Sequence, residues 1–344
     1  EEELRRALRQ IARAPQSSLL EYGRPYGHSG LREQLARRLA DYGVPVGPQQ
    51  VVLTDNGTQA IDLVCRFLLE PGDCVLVDDP GYFNFQALLR AHRVQVVGVP
   101  YTPNGPDVAA MAKLLEQHRP RLYITNSAFH NPTGAVLSPL VAHRLLKLAE
   151  AHDLLIVEDD IFGDFEHDSA PRLSAFDGLE RVIQVGSFSK TLSASVRCGF
   201  IATKPEWCER LVDLKLATSF GNSPFSAELL YELLRKGSYR RHLDHLRGRL
   251  ADAMGETLLR LRALDIQPWL EPRGGVFVWA RLPDGLDAAQ VSRAALADNL
   301  VLAPGNVFSL SQSAAGYLRF NVAQCQSPRV FEGLERAMGQ VRGC

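Results

Sequence analysis

The sequence predicts an α/β fold: a mostly parallel, three-layer α/β/α large domain with a smaller α+β domain beside it. Three observations predict it. Short β-branched apolar runs alternate with longer segments of helical period through the middle of the chain. The chain has 344 residues, more than one ordinary core holds. The alternation stops near residue 236, where a long amphipathic helix begins. The expected division is 45–235 for the large domain, and 1–44 with 236–344 for the small one.

Taken in order, a helix is expected over Glu3–Ala14 and another around Leu31–Ala40. Buried strands are expected at Val51–Thr54, Cys74–Val77, Val94–Val99, Leu122–Thr125, Leu154–Val157, Val182–Val185 and Phe200–Ala202. Helices between them are expected at Ala60–Leu69, ended by Pro71-Gly72, at Val108–His118, ended by Pro120, and at Pro139–His152. Strand, helix, strand in alternation implies parallel pairing with crossovers on both faces. Ligands of such sheets bind at the carboxyl ends of the strands. The small domain is expected to hold a helix over Tyr239–Leu264, strands at Gly275–Ala280 and Leu318–Val322, and helices near Ala288–Asp298 and Pro328–Val341.

Bulk composition excludes several classes. The net charge of −1 gives no field to attract nucleic acid or anionic lipid. The apolar runs are strand-sized and predict no membrane span. The six cysteines form no C-x-x-C pair, which argues against a zinc site or a disulfide frame and for a reducing, cytoplasmic setting. No metal site is expected. The chain opens on Glu1 without an initiator Met, as a part of a longer polypeptide would.

The chemistry gathers at strand ends. Gly186-Ser187-Phe188-Ser189-Lys190-Thr191-Leu192 follows a strand, and a lysine at the lip of a sheet, beside a dry pocket, is a nucleophilic amine. A lone lysine in a loop is ordinarily just solvated. Ser187-x-x-Lys190 also matches the S-x-x-K pair of serine acyl-enzymes, but that reading needs the serine at a helix start and companion S-D-N and K-T-G tripeptides, which the chain lacks. Asp159, in Val157-Glu158-Asp159-Asp160, ends another strand, where a carboxylate can hold a pyridine nitrogen protonated; the plain alternative is a solvated acidic turn. Asn131, in His130-Asn131-Pro132-Thr133-Gly134, puts an amide donor at the same rim. Asp55-Asn56-Gly57-Thr58-Gln59 opens a helix, an anion site by its free N–H groups or simply a capped end. Ser187 and Arg197 can complete a phosphate cradle there. Tyr82 can stack on an aromatic ring or fill a half-buried core position. Arg319, inside the apolar run Tyr317–Asn321, needs an anionic partner: a substrate carboxylate or a structural salt bridge.

In these residues the chain resembles the class I/II aminotransferases of pyridoxal 5′-phosphate (PLP) fold type I, from about Tyr22 to the C-terminus. The resemblance implies PLP as cofactor. It implies that Lys190 is the Schiff-base lysine, Asp159 the partner of the pyridine nitrogen and Asn131 the ligand of the 3′-oxygen. It makes Gly57, Thr58, Ser187 and Arg197 the phosphate ligands, Tyr82 the stacking aromatic, and Arg319 the clamp on the substrate's α-carboxylate. Tyr22 resembles the tyrosine that reaches the neighbouring subunit's phosphate, which implies a homodimer. Phe162 stands where the family usually has a tyrosine that bonds the 3′-oxygen; its loss should raise the pKa of the cofactor's imine and weaken transamination. The family pattern also has an arm, before the position of Glu1, that helps close the substrate site.

Within the family, the stretches Leu20-Glu21-Tyr22-Gly23, Val185–Leu192, Leu302-Ala303-Pro304-Gly305 and Leu318-Arg319-Phe320-Asn321 are most similar to the aminotransferase-like domain of MocR-type regulators of the GntR family. The expected function is therefore an effector domain that binds PLP and an amino acid or amine, with DNA reached only through a domain outside this chain. The alternative is a stand-alone aminotransferase that passes an amino group from an amino acid to a 2-oxo acid; an S-x-x-K serine hydrolase is a minor alternative. Arg273 is a further candidate for contact with substrate.

Overall fold

The computed structural model describes residues 2–13, 22–166 and 170–343. The expected helix end at Ala14, and Leu20 and Glu21 of the quoted stretch, lie outside the described residues.

Helix α1 (Glu2–Arg13) and α2 (Ser29–Asp41) precede the first strand, β1 (Val51–Thr54). The large sheet continues with β2 (Cys74–Asp79), β3 (Gln95–Thr102), β4 (Gly105–Pro106), β5 (Leu122–Thr125), β6 (Leu155–Asp159), β7 (Val182–Ser187) and β8 (Gly199–Ala202). Between them lie α3 (Gly57–Leu68), α4 (Phe83–Ala91), α5 (Val108–His118), α6 (Pro139–Ala151) and α7 (Leu173–Asp177). The order across the sheet is β1-β8-β7-β6-β5-β2-β3-β4. From β7 to β3 all pairs are parallel; β8 runs antiparallel between β1 and β7, and β4 antiparallel at the other edge.

The central strands are buried on both faces, and their side chains alternate between two apolar layers. Val75, Val77, Val157, Ile183 and Val185 pack under α3 and α4. Leu76, Tyr123, Ile156 and Val182 pack under α5, α6 and α7. A strand buried on both faces reads as a continuous apolar run, which is why these strands were visible as such.

Helices α8 (Pro205–Ser219), α9 (Pro224–Arg235) and α10 (Ser238–Ala263) lead to a second, four-stranded antiparallel sheet. Its order is β11 (Ala303–Pro304), β12 (Tyr317–Asn321), β10 (Phe277–Arg281), β9 (Gln267–Pro268). Helices α11 (Ala288–Ala295) and α12 (Pro328–Arg342) cover it. The described residues of 1–44, a stretch grouped above with this smaller unit, pack elsewhere: α1 and α2 share one apolar cluster with β1, β8 and α9. The cluster around the small sheet draws nothing from them among the described residues.

Candidate active site

Strand direction gathers the site at one edge. β1, β2, β5, β6 and β7 all end there, and β8, running the other way, begins there. The segments that leave these ends enclose a cavity of about 840 Å³. Gly57, Thr58, Tyr82, Asn131, Asp159, Phe162, Ser187, Lys190, Arg197 and Arg319 all line it. Ten residues spread from 57 to 319 in sequence thus meet in one space.

The phosphate-type corner is the start of α3. Asn56 caps it, its side chain accepting from Gln59 N at 3.0 Å. The N–H groups of Gly57 and Thr58 have no acceptor among the described hydrogen bonds, so the helix end presents two donors and its dipole to the cavity. A Cβ at Gly57 would lie 3.6 Å from Ser187 Cβ and 3.9 Å from Ile161 Cδ1, ordinary contact distances. Chain packing therefore does not demand glycine there; the open space belongs to the cavity. Ser187 closes β7, its hydroxyl 3.0 Å from Ser189 Oγ and donating to Cys198 O at 3.3 Å. Arg197, exposed, lies just before β8.

Lys190 sits on the run of turns between β7 and β8. It is exposed at the cavity wall rather than enclosed in the dry pocket expected of it. The same geometry removes the serine hydrolase reading: Ser187 ends a strand and turns follow it, with no helix start.

Asp159 ends β6 and is 5% exposed. Its carboxylate accepts from Ile161 N at 3.2 Å. Burial pushes its pKa up to about 7, outweighing the hydrogen bonds from Ile161 and Asn126 and the charge of Lys190, which lower it. It is not part of a solvated acidic turn. Its neighbours turn away to other partners: buried Glu158 accepts from Leu173 N and Ser174 N at the start of α7 (2.7 and 2.9 Å), and half-buried Asp160 pairs with buried Arg172 at 2.8 Å. Only Asp159 of the three faces the cavity.

Asn131 is buried, and its side-chain oxygen accepts from Arg319 Nη1 at 2.9 Å, which leaves its N–H₂ to donate elsewhere. Arg319 has no carboxylate partner among the described residues. Its guanidinium lies 4.4 Å from the Phe277 ring centroid and 4.8 Å from that of Phe308, and its Nε is buried without a partner. Burial lowers its pKa to about 10. The structural salt bridge considered for it is absent among the described residues, and its Nε is left able to donate to an anion. Tyr82 is half-buried at the mouth of α4; burial and the charge of Asp159 raise its hydroxyl pKa. Phe162 is buried edge-on against Phe277, ring centroids 5.2 Å apart.

Two expected residues do not join this cavity. Tyr22 is 83% exposed, packs on Phe220 (4.7 Å) and lines a separate pocket with Arg24, His28 and Asn222. Arg273 is exposed and does not line the cavity.

Sequence reasoning missed Asn126, which lines the cavity and donates to Asp159 O at 3.0 Å. It also missed the buried support under Asn131. There Asp78 accepts from Tyr123 and Thr125 and pairs with His130, 3.2 Å away, whose ring stacks on Tyr101 at 3.7 Å. An aspartate inside the apolar strand run Cys74–Asp79 was the available signal. Among the described residues no three metal-ligating side chains cluster, and no helix is long and apolar enough to cross a membrane.

Comparison with known proteins agrees with this geometry. A 2-aminoadipate transaminase from Thermus thermophilus is 32% identical, over 99% of this chain and 86% of its own length. A solved structure of LysN, the α-aminoadipate aminotransferase of the same species, complexed with N-(5′-phosphopyridoxyl)-L-leucine, superposes with a TM-score of 0.91 at 30% identity, covering 99% of this chain and 89% of that one. An uncharacterized HTH-type transcriptional regulator, YdfD of Bacillus subtilis, is 28% identical over 91% of this chain but only 65% of its own length. The nearer likeness to regulators, read from the sequence, is thus reversed: the transaminase is the more similar of the two. The model of the class I and II aminotransferases matches residues 2–336, and the chain belongs to that family.

Proposed function

We infer that this chain is a PLP-dependent aminotransferase that takes the amino group of an amino acid and passes it to a 2-oxo acid. The observation that carries the reading is the pairing, in one cavity, of a buried carboxylate, Asp159, and a half-buried guanidinium, Arg319, neither of which has an ion-pair partner among the described residues. A protonated pyridine nitrogen answers the first and a substrate carboxylate the second.

The remaining donors suit the cofactor. The N–H groups of Gly57 and Thr58, the hydroxyls of Thr58 and Ser187, and Arg197 would hold the phosphate. Asn131 would donate to the 3′-oxygen and Tyr82 would stack on the ring. Lys190 would hold the cofactor. When bound, PLP supplies an aldehyde that captures amines and a cationic ring that accepts the electron pair released at Cα. The chain's part is to orient and to move protons. Arg319, steadied by Asn131 and two aromatic faces, fixes the substrate carboxylate. The Lys190 amine, once free, takes the proton from Cα and returns it to the neighbouring carbon. Asp159 keeps the ring nitrogen charged throughout. Tyr22 would serve the partner's site in a homodimer, since it does not reach the cavity of its own chain.

A second reading, the effector domain of a transcriptional regulator, is favoured by the likeness to YdfD, of which this chain spans about two thirds. It uses the same contacts and differs in whether the half-reaction completes. The test is the visible spectrum of the PLP-loaded chain, with Lys190→Ala beside it. The expected result is a cofactor band that needs Lys190, is bleached by an amino acid and returns with a 2-oxo acid. A band shifted by amines but never converted favours the regulator. No Lys190-dependent band overturns both.

A further inference from the structure

We propose that the side chain of the bound amino acid is large and uncharged, aromatic or branched aliphatic, and that Phe83 is the residue that selects it. The proposal rests on the reading of the cavity as the cofactor and substrate site. Phe83 is the first residue of α4 and lines the cavity, yet it is 42% exposed. Its ring stands edge-on to Phe308, centroids 5.6 Å apart, and 5.1 Å from Tyr82. The same Phe308 carries the Arg319 guanidinium on its face. Phe277 carries it from another side, and Phe162 packs edge-on to Phe277. Outward from the carboxylate clamp the surface is therefore aromatic, and it ends on a ring that the chain leaves open. An exposed aromatic face inside a cavity is what an apolar ligand group covers.

The charges agree. The described residues lining the cavity include three cations: Lys190, Arg197 and Arg319. In the proposed reading all three are engaged, by the cofactor, its phosphate and the α-carboxylate. The other charges are carboxylates, Asp159 and Asp62, and Asp62 is already paired with Arg66 and His92. A second carboxylate, such as the one 2-aminoadipate carries, would lose its water against phenyl rings with no further cation among the described residues of the lining to meet it. A phenyl or isobutyl group would instead cover Phe83 at no such cost.

The test uses the PLP-loaded chain titrated with L-phenylalanine, L-leucine, L-alanine, 2-aminoadipate and glutamate. It reads the dissociation constant from the shift of the cofactor band, and kcat/KM where turnover follows. L-Phenylalanine or L-leucine is expected to bind about tenfold or more tightly than either dicarboxylate. Phe83→Ala should lower the ratio of phenylalanine to alanine by about tenfold, and Phe83→Leu, which keeps an apolar wall, by less. A dicarboxylate that binds as well as phenylalanine overturns the proposal, as does a Phe83→Ala variant in which the ratio is unchanged. With a normal Lys190-dependent band, either result sinks this proposal alone. Absence of the band sinks the cofactor reading and this proposal with it.

Discussion

The acidic triplet Glu158-Asp159-Asp160 shows how much a single residue's surroundings decide. Three adjacent carboxylates meet a helix start, the open cavity and an arginine, and only the middle one faces the cavity. Burial raises Asp159 to about 7, Glu166 to about 7 and Asp160 to about 6, the last two despite Arg172. The unfolded chain holds these groups near about 4. Between roughly pH 4 and pH 7 the folded chain therefore binds more protons than the unfolded one, and its stability falls as pH rises through that window. The thermal midpoint of the cofactor-free chain is expected to fall over this range, and to fall less in Asp159→Asn. PLP should flatten the curve as well, since a protonated ring nitrogen supplies the missing charge. Equal slopes in the wild type and Asp159→Asn would contradict this. Phe162 gives a second residue-scale prediction. A hydroxyl added there would donate to the cofactor's 3′-oxygen and draw its charge from the neighbouring proton. Phe162→Tyr should therefore lower the pH midpoint of the visible band by about one unit; an unmoved midpoint would place the 3′-oxygen away from residue 162.

At the scale of elements, the loop that carries Lys190 is held from behind by α10. Thr191 Oγ1 is 2.6 Å from the Tyr239 hydroxyl, which donates to Asp164 at 2.5 Å, and Thr191 O lies 2.7 Å from His242 Nε2. Asp164 also accepts from Arg38 and from Tyr42 (3.1 Å), on and just after α2. Tyr239 is buried, so Tyr239→Phe leaves two polar groups short of a partner and should cost about 1–3 kcal/mol of unfolding free energy, measurable by denaturant titration. A loss near zero would mean water replaces the hydroxyl. None of this network was legible in the sequence, because its members lie in α2, after β6, after β7 and in α10, and no local pattern links them. The strands buried on both faces were legible, since such burial writes itself as a short apolar run, as at Val51–Thr54 and Val182–Val185. The position of β8, antiparallel between β1 and β7, was not: periodicity sees a strand but not its neighbours. The same limit explains the site. The residues at strand ends could be read by motif, whereas Asp78, Asn126 and Phe83 act through partners far away in sequence.

For the whole molecule, the question left by the fold is what Tyr22 does. It is 83% exposed, its ring rests on Phe220, itself 59% exposed, and both stand apart from the main cavity. Two large aromatic rings tilted against each other at 56° and open to water are a poor end state for a chain in isolation. A net charge of −1 raises no barrier to self-association. If a second copy covers this pair, the Tyr22 hydroxyl is free to reach the copy's phosphate corner, where Gly57, Thr58, Ser187 and Arg197 line the cavity. Sedimentation should then report a species of twice the 38.0 kDa chain mass. Tyr22→Phe should keep that species while weakening PLP binding about fivefold, the worth of one hydrogen bond. Tyr22→Asp, which charges the aromatic patch itself, should dissociate the dimer and lower PLP affinity further. A monomer with full PLP affinity would mean that each chain completes its own site. A dimer indifferent to both substitutions would put the interface elsewhere and leave Tyr22 without a part in it.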